Sequence, residues 1–421
     1  MFTFLHAADL HLDSPLRGLA RYEGAPVDEI RGATRRALEN LVDLAIERDV
    51  DFVLIAGDLY DGDWKDHNTG LFFVAQMVRL RTENIPVIAI RGNHDAANKM
   101  TSFLQLPANV ELLSHRRAET AQAEKLKELG VAVHGRSFAK AAELDNLALN
   151  YPPPQTGKFN IGLLHTSLSG VEGHEPYAPC TVDDLRSAGY DYWALGHVHT
   201  RRVLCEDPPI LFSGNLQGRH IREPGAKGCM LVTVDDRAEV KFEFQPLDVF
   251  RWELCHVDAQ GCDEIDEVLE QLSTELAPIV RASDGLPLAV RLILSGSCQA
   301  HGQLMSAPEE WVNQVRAIGL DLSGGSLWIE KAVLRTSPQQ TTDPTLQTDG
   351  PIGVLRSYLS ELRTNDLQLL ELAGELDALR RKLPAELKRG PNPLTFDDPK
   401  QLRTVLDEIE PMLMEQLLGK E

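Results

Sequence analysis

Long apolar runs are missing from this sequence, and so are the marks of a secreted chain. No apolar segment approaches the ~18 residues that a membrane-spanning helix needs. The first residues, Met1 to Leu5, carry no basic charge, and functional-looking polar residues begin at Asp9, so we expect no signal peptide. Six cysteines form no C-x-x-C pair, and a chain of 421 residues needs no disulfide scaffold. The sequence therefore predicts a cytoplasmic protein with free thiols and no membrane contact.

Several enzyme motifs are absent as well. The sequence contains no Walker A loop, no Rossmann glycine fingerprint, no H-E-x-x-H and no G-x-S-x-G. We therefore do not expect a glycine-rich loop to bind phosphate here.

Positive charge is also scarce. The 42 Lys and Arg residues face 63 Asp and Glu residues, which gives a net charge of −21. Such a chain gains little from counterion release, so we expect weak binding to nucleic acid by the chain alone. Metal ions, a local basic patch or a basic partner would have to offset this charge. Length and the 43% hydrophobic content predict a globular protein of two or three domains.

An apolar run ends abruptly in a carboxylate at Asp58. Residues 53–56 are Val, Leu, Ile and Ala, which predicts a buried strand followed by Gly57 and Asp58. Ligands of open α/β sheets bind at the carboxyl ends of the strands, where Asp58 would lie. One such Asp is weak evidence, because Asp often only caps a turn.

Four other stretches follow apolar runs in the same way. They are Asp9-Leu10-His11, Gly92-Asn93-His94-Asp95, His165 and Gly196-His197-Val198-His199. Residues that alternate in an extended segment project to one side, so Asp9 with His11, and His197 with His199, can each reach one centre. A single D-x-H or a lone His is usually structural, but the combination at successive strand ends predicts a site.

The ligand types indicate the metal. Asn, His and carboxylate side chains without thiolates suit Mn, Fe or Zn. Two ions about 3.5–4 Å apart, bridged by one carboxylate, form the clamp used for in-line attack on phosphorus. Asp58 is the candidate bridge.

The motifs also suggest roles for other polar residues in or near them. We expect His94 to give a proton to the leaving oxygen and Asp95 to orient its imidazole. Asp61 and Asp63 follow Asp58 and are interpreted as solvated turn residues rather than as supports for the ligands. Arg91, Arg201 and Arg219 are candidates for binding substrate phosphate. The alternative is that these arginines pair with carboxylates of the site itself.

The order of elements predicts an α/β protein. Strands ending at Ala8, Ala56 and Ile90 alternate with helices, which favours a parallel β-α-β-α-β unit. Strands at 210–212, 230–234 and 240–244, without long helices between them, predict a second, largely antiparallel sheet that faces the first. We place a catalytic domain at 1–248, a small α+β cap domain at 249–336, a linker at 337–350 and a helical partner-binding region at 351–421. In the last region, Leu369, Leu372, Leu376, Leu379 and Leu383 form a heptad-like stripe that packs on its own chain or on a partner.

Together, these motifs resemble the five signature blocks of the calcineurin-like metallophosphoesterase superfamily. Residues 8–15, Ala-Asp-Leu-His-Leu-Asp-Ser-Pro, with the following cap and C-terminal helices, are similar to the SbcD-type DNA repair exonucleases and their YhaO-like branch. The resemblance implies a four-layer fold in which two facing mixed β-sheets are flanked by helices.

The resemblance also implies a ligand set and partners. One ion would be held by Asp9, His11, Asp58 and His199, and the other by Asp58, Asn93, His165 and His197. The family implies Mn²⁺, with Fe, Zn or Mg as alternatives, and an SbcC-like coiled-coil ATPase bound by the C-terminal helices. A homodimer is a further candidate assembly.

Metal-dependent hydrolysis of DNA phosphodiesters, as an exonuclease or endonuclease in repair or end processing, is the resulting hypothesis. Two alternatives stay open. One is a phosphodiesterase or phosphatase acting on small molecules, and the other is a non-catalytic subunit that holds metal.

Overall fold

The computed structural model describes residues 1–14, 26–61, 67–96, 105–168, 177–339, 351–375, 382 and 397–418. Contacts divide the chain into two compact units. The first contains residues 1–254, 279–291 and 322–331, and the second contains residues 255–278, 292–321 and 332–421. The domain boundaries given above stay a prediction.

Residues 1–246 hold the strands and helices that carry the predicted motifs. The strands are β1 (Phe2–Ala7), β2 (Phe52–Ala56), β3 (Val87–Ile90), β4 (Val110–Leu112), β5 (Glu119–Thr120), β6 (Val131–Gly135), β7 (Phe159–His165), β8 (Tyr192–Gly196), β9 (Arg202–Glu206), β10 (Pro209–Phe212), β11 (Gly228–Val234) and β12 (Val240–Pro246). The helices are α1 (Val27–Glu47), α2 (His67–Thr82), α3 (Asn93–Ala96), α4 (Glu124–Glu128) and α5 (Val182–Ser187), and a 3₁₀ turn covers Leu147–Asn150.

These strands form two six-stranded mixed sheets, which confirms the predicted α/β fold class. The first sheet has the order β12-β11-β1-β2-β3-β4, and β1 to β4 are parallel, as predicted for the β-α-β-α-β unit. The second has the order β5-β6-β7-β8-β10-β9, with β6, β7, β8 and β10 parallel.

The predicted composition of the second sheet is wrong. Strands β11 and β12 belong to the first sheet, where β11 pairs antiparallel with β1 so that Phe2 lies opposite Val234. The strands that follow His199 therefore do not build an antiparallel sheet of their own. Both edges of the buried strand β1 need hydrogen-bond partners, and hydrophobic patterning alone does not reveal which later strand supplies one.

Alternation along the strands of the first sheet builds two separate cores. Leu5 and Ala7 of β1 face α1 and α2, together with Val53 and Ile55 of β2. Phe2 and Phe4 point the other way and pack with side chains of the second sheet, among them Tyr192. Successive side chains of a strand project to opposite faces, so both faces of this sheet are covered.

The far face of the second sheet is covered too. Trp193 and Leu195 of β8 pack there with Leu185 of α5 and Leu147 of the 3₁₀ turn. Packing on the faces of both sheets thus fixes the carboxyl ends of the strands, and the motif residues follow directly after these ends.

Residues 251–418 contain a smaller sheet and further helices. The strands are β13 (Arg251–Asp258), β14 (Leu288–Cys298) and β15 (Leu327–Pro338), in that order. In the described part of this range the helices include α6 (Ile265–Ala282), α7 (His301–Ser306), α8 (Pro308–Ser323), α9 (Pro351–Thr364), α10 (Asp366–Gly374) and α11 (Pro399–Leu418).

The leucine stripe is partly described. Leu369 is buried in a cluster with Leu362 of α9 and Leu402 and Leu406 of α11, so this position packs on its own chain. Leu372 is exposed. Leu376, Leu379 and Leu383 lie outside the described residues, as does most of the predicted linker. In the described part of the chain, no helix has the length and hydropathy needed to cross a bilayer.

A buried histidine links the two sheets. His6 of β1 lies with Nε2 at 3.1 Å from the Leu195 carbonyl oxygen and Nδ1 at 3.0 Å from the Tyr192 hydroxyl. The carbonyl can only accept, so Nε2 carries the proton and Tyr192 donates to Nδ1. Burial lowers the pKa of His6 to about 4, although the Leu195 carbonyl opposes this shift.

Because the folded state keeps His6 neutral, stability should fall on acidification. Between pH 6.5 and about 4 the unfolded chain binds a proton that folded His6 does not, so stability is lost as the pH falls through this window. From about pH 7 to about pH 5 this group alone removes about 2 kcal/mol. Urea unfolding of metal-free protein at both pH values should show a smaller acid loss in His6→Gln than in the wild type. An equal loss in both proteins would contradict the assignment.

Candidate metal centre

The motif residues converge where the carboxyl ends of the two sheets meet. Asp9, Asp58 and Asn93 follow β1, β2 and β3, while His165 ends β7 and His197 follows β8. Backbone pairing continues past the ends of β1 and β2, because Asp9 N donates to Gly57 O and His11 N donates to Asp58 O, each at 3.0 Å. The first two motifs are therefore fixed to each other.

Two motif glycines allow the loops to approach this closely. A Cβ on Gly196 would lie 1.9 Å from the Ala56 carbonyl oxygen, and a Cβ on Gly92 would lie 2.3 Å from Asp58 Oδ1. Contacts this short are impossible, so any side chain at either position would push the loops apart. These glycines are needed for space.

Four of the predicted ligands have left-handed backbone conformations. The φ angles are 52° for Asp9, 43° for His11, 51° for Asp58 and 99° for His197. Such conformations cost about 1–3 kcal/mol each for residues other than glycine and persist only where the surroundings impose them. Here they aim side chains from several loops at one point.

All seven predicted ligands lie together in this region. Single ligand atoms lie within 4.8 Å of one another in each of three groups, which are Asp9 with His11 and His199, His11 with Asp58 and His94, and Asp58 with His165 and His197. Asp58 Oδ2 lies between the first and last sets, 3.8 Å from His11 Nε2 and 3.5 Å from His165 Nε2. Asn93 completes the arrangement with Oδ1 at 2.9 Å from His165 Nε2 and 3.2 Å from His197 Nδ1.

The surroundings of His165 favour positive charge within this cluster. His165 Nδ1 lies 2.8 Å from the Ala56 carbonyl oxygen, which can only accept, so Nδ1 carries a proton and Nε2 faces the oxygens of Asn93 and Asp58. Burial lowers the pKa of His165, but the charges of Asp58 and Asp9 outweigh it and raise the pKa to about 9. A divalent ion could replace that proton, so these residues fit a metal.

The two central carboxylates, Asp9 and Asp58, are compensated by backbone N–H groups and by neighbouring histidines. Both are buried, and each accepts a backbone hydrogen bond, Asp9 from His197 N at 3.0 Å and Asp58 from His94 N at 3.0 Å. Burial raises the pKa of Asp9. Burial also raises that of Asp58, but the neighbouring His165 and His94 outweigh it and lower the pKa to about 2. Both carboxylates therefore depend on positive charge around them.

The predicted partner of His94 is wrong. His94 Nδ1 lies 2.8 Å from Asp61 Oδ1, whereas Asp95 accepts backbone hydrogen bonds from Leu59, Tyr60 and Gly92. Asp95 thus fixes the loop that carries Asp58 and does not orient the imidazole. Asp61, interpreted above as a solvated turn residue, also accepts from Ser14 Oγ and is only slightly exposed. Asp63 lies outside the described residues.

The electrostatics of His94 follow from this partner. Burial lowers the pKa of His94, but the hydrogen bond to Asp61 and the charges of Asp58 and Asp61 outweigh it, so the pKa rises above its usual value. With 36% of its side chain exposed, His94 reaches solvent, whereas His11 beside it is fully buried. His94 can therefore present a proton to a bound molecule.

The three predicted arginines have different environments. Arg219 pairs with Glu223 at 2.8 Å and lies 3.5 Å from Asp61, so its charge balances carboxylates of the site itself. The guanidinium of Arg201 lies over the Phe244 ring, 4.0 Å from its centroid. Arg91 is half-buried, and its Nε is buried without a hydrogen-bond partner.

Comparison with known proteins matches this site to a family. The profile of the calcineurin-like phosphoesterases matches residues 2–201, and that of the middle domain of metallophosphoesterase YhaO matches residues 252–337. The uncharacterized metallophosphoesterase YhaO of Bacillus subtilis is 37% identical over 308 residues, covering 73% of this chain and 74% of the relative. The chain belongs to the calcineurin-like phosphoesterase family. As a member, this phosphoesterase is a metal-dependent phosphoester hydrolase.

More distant relatives align with only part of this phosphoesterase. The DNA double-strand break repair protein Mre11 of Sulfurisphaera tokodaii is 29% identical over 241 residues. The aligned part is 54% of this chain and 58% of that protein, so the chain spans little more than half the length of this relative. A solved dimetal phosphatase from Danio rerio covers 58% of the chain, and 99% of its own, at 13% identity with a TM-score of 0.35.

Adding a methyl group to Gly196 should damage the protein. Gly196→Ala forces the new Cβ against the Ala56 carbonyl oxygen, and we expect the free energy of unfolding to fall by about 1–3 kcal/mol. The matched control is Gly32→Ala within α1, where nothing lies within 4 Å of the added Cβ. That change should stabilise the helix by about 0.5–1 kcal/mol. Similar melting temperatures for the two variants would contradict the close approach.

Proposed function

We propose that this phosphoesterase hydrolyses DNA phosphodiester bonds in the cytoplasm with two divalent metal ions, Mn²⁺ foremost. Asp9, His11, Asp58 and His199 would hold one ion, and Asp58, Asn93, His165 and His197 the other. The position of Asp58 carries the proposal, since one oxygen lies 3.8 Å and 3.5 Å from histidine nitrogens of the two sets. Two bound ions would supply Lewis acidity and lower the pKa of water for in-line attack on phosphorus.

The protein's own groups account for the remaining chemistry. His94 would donate its proton to the departing 3′ or 5′ oxygen, because Asp61 and Asp58 outweigh burial and raise its pKa, which favours the protonated form. Asp61 would hold the imidazole through Nδ1, and Asp95 would hold the backbone from which Asp58 projects.

Support for DNA as the substrate comes from the Mre11 relatives, whose name describes double-strand break repair. The net charge of −21 opposes binding to DNA, so bound divalent ions would have to attract the phosphates. The alternative substrate class is small phosphodiesters.

The substrate can be tested by offering end-labelled duplex DNA, cyclic nucleotides and bis-p-nitrophenyl phosphate with Mn²⁺, Mg²⁺ or Zn²⁺. We expect cleavage of DNA, highest with Mn²⁺. His94→Ala should slow it by about 10²–10⁴-fold with metal content unchanged, because only the proton donor is lost. Asp58→Asn should lose both metal and activity. Metal content is measured by mass spectrometry.

Two results would overturn this proposal. Hydrolysis of cyclic nucleotides with DNA left intact would make this a small-molecule phosphodiesterase. Absence of any hydrolysis with both ions bound would make it a metal-holding subunit.

We also propose that the C-terminal helices bind an SbcC-like coiled-coil ATPase. Val354 and Tyr358 lie one turn apart on α9 and are exposed, Val354 by 71%, and Leu367 on α10 is exposed by 81%. Exposed apolar side chains in one region often mark a protein interface.

Charge introduced on α9 should prevent that association. Val354→Asp combined with Tyr358→Asp should abolish co-purification with a co-expressed SbcC-like ATPase, because a buried charge is unfavourable at an apolar interface. Leu320→Asp is the matched control, since Leu320 is also an exposed apolar residue but lies on α8. Retention of the ATPase by the double variant would rule out this surface.

A further inference from the structure

Glu223 is a buried carboxylate that the sequence motifs did not reveal. It lies between β10 and β11 and is only 5% exposed. Its Oε1 lies 2.7 Å from Nδ1 of His199, one of the seven predicted ligands. A charged side chain this deeply buried needs partners, and the identity of those partners indicates its role.

Several donors fix the Glu223 carboxylate in place. Arg219 contributes its backbone N at 2.9 Å and Nε at 3.3 Å to Oε2, and one terminal nitrogen at 2.8 Å to Oε1. Asn215 Nδ2 donates to Oε2 at 3.0 Å. Arg219 thus binds both carboxylate oxygens of Glu223, and together with Asn215 it holds this carboxylate beside His199.

This contact determines which nitrogen of His199 is free. A carboxylate only accepts hydrogen bonds, so the 2.7 Å contact places the proton of His199 on Nδ1 and leaves a lone pair on Nε2. A terminal nitrogen of Arg219 also lies 3.2 Å from this Nδ1, but it makes its shorter contact, 2.8 Å, with Glu223 Oε1 and donates there. That Nε2 lies 3.1 Å from His11 Nε2, on the side of the ring that faces the ligand cluster. Carboxylates placed this way behind a ligand histidine orient the ring and raise its basicity.

We propose that Glu223 is a positioning residue that holds the His199 ring and tautomer ready for the ion shared with Asp9 and His11. Arg219 supports Glu223 instead of binding substrate, and through its 3.5 Å approach to Asp61 it also borders the partner of His94. This inference rests on the proposed metal centre, but it concerns affinity for the ion and not the reaction.

Calorimetric titration of metal-free protein with Mn²⁺ tests the proposal. In Glu223→Gln the affinity for one of the two ions should fall by about 10–100-fold while the other is unchanged, because loss of such a support typically costs that much. Glu223→Asp keeps the negative charge beside Arg219 but withdraws it from His199. The affinity for the same Mn²⁺ ion should therefore fall in this variant, which tests the proposal even if the Gln variant fails to fold.

The matched control is Glu330→Gln. Glu330 is a buried carboxylate bound through both oxygens by Arg291, at 2.7 Å and 2.6 Å, and it contacts no predicted ligand in these hydrogen bonds. Its loss should lower the melting temperature but leave both Mn²⁺ affinities at wild-type values. A decrease in Mn²⁺ affinity in this control as large as that in the Glu223 variants would mean that general destabilisation is the cause.

The outcomes separate this inference from the proposed function. If folded Glu223 variants bind two Mn²⁺ with wild-type affinity, Glu223 does not position His199, and the metal centre still stands. If the wild type binds no divalent cation, the metal centre and this inference both fail. If binding weakens as expected but DNA is not cleaved, only the proposed substrate is wrong.

Discussion

Two buried carboxylates determine how this site is built. Asp9 and Asp58 are almost fully removed from water, where an uncompensated charge costs several kcal/mol. Backbone N–H groups of His197 and His94 offset part of that cost. The surrounding histidine side chains offset more of it. The geometry of the surrounding loops follows from the need to bring these compensating groups within a few ångströms of two carboxylates.

The local sequence predicted much of the fold and of the ligand set. Apolar runs ending in Asp9, Asp58, His165 or His197 predict both the strands and the position of their polar ends, because both depend on neighbouring residues. The partners of β11 and of His94 depend on long-range packing, which patterning does not specify. Asp61 and Asp95 are equally plausible partners by sequence, and only the backbone conformation separates them.

Glu223 shows a further limit of motif reading. It lies 24 positions after His199, beyond the spacing at which side chains of one strand or helix meet. Its role depends on a loop folding back so that Arg219 and Asn215 surround it. The sequence does carry one usable signal, because Arg219 is a cation close to the metal motifs and such a cation commonly pairs with a carboxylate.

The placement of β1 in the first sheet also affects how the chain must fold during synthesis. Phe2 of β1 pairs with Val234 of β11, so one edge of this buried strand has no hydrogen-bond partner until more than two hundred further residues have been made. An open apolar edge of this kind is prone to pair with other chains. Until β11 has been made, this edge of β1 therefore needs protection from other chains that the finished fold supplies through β11.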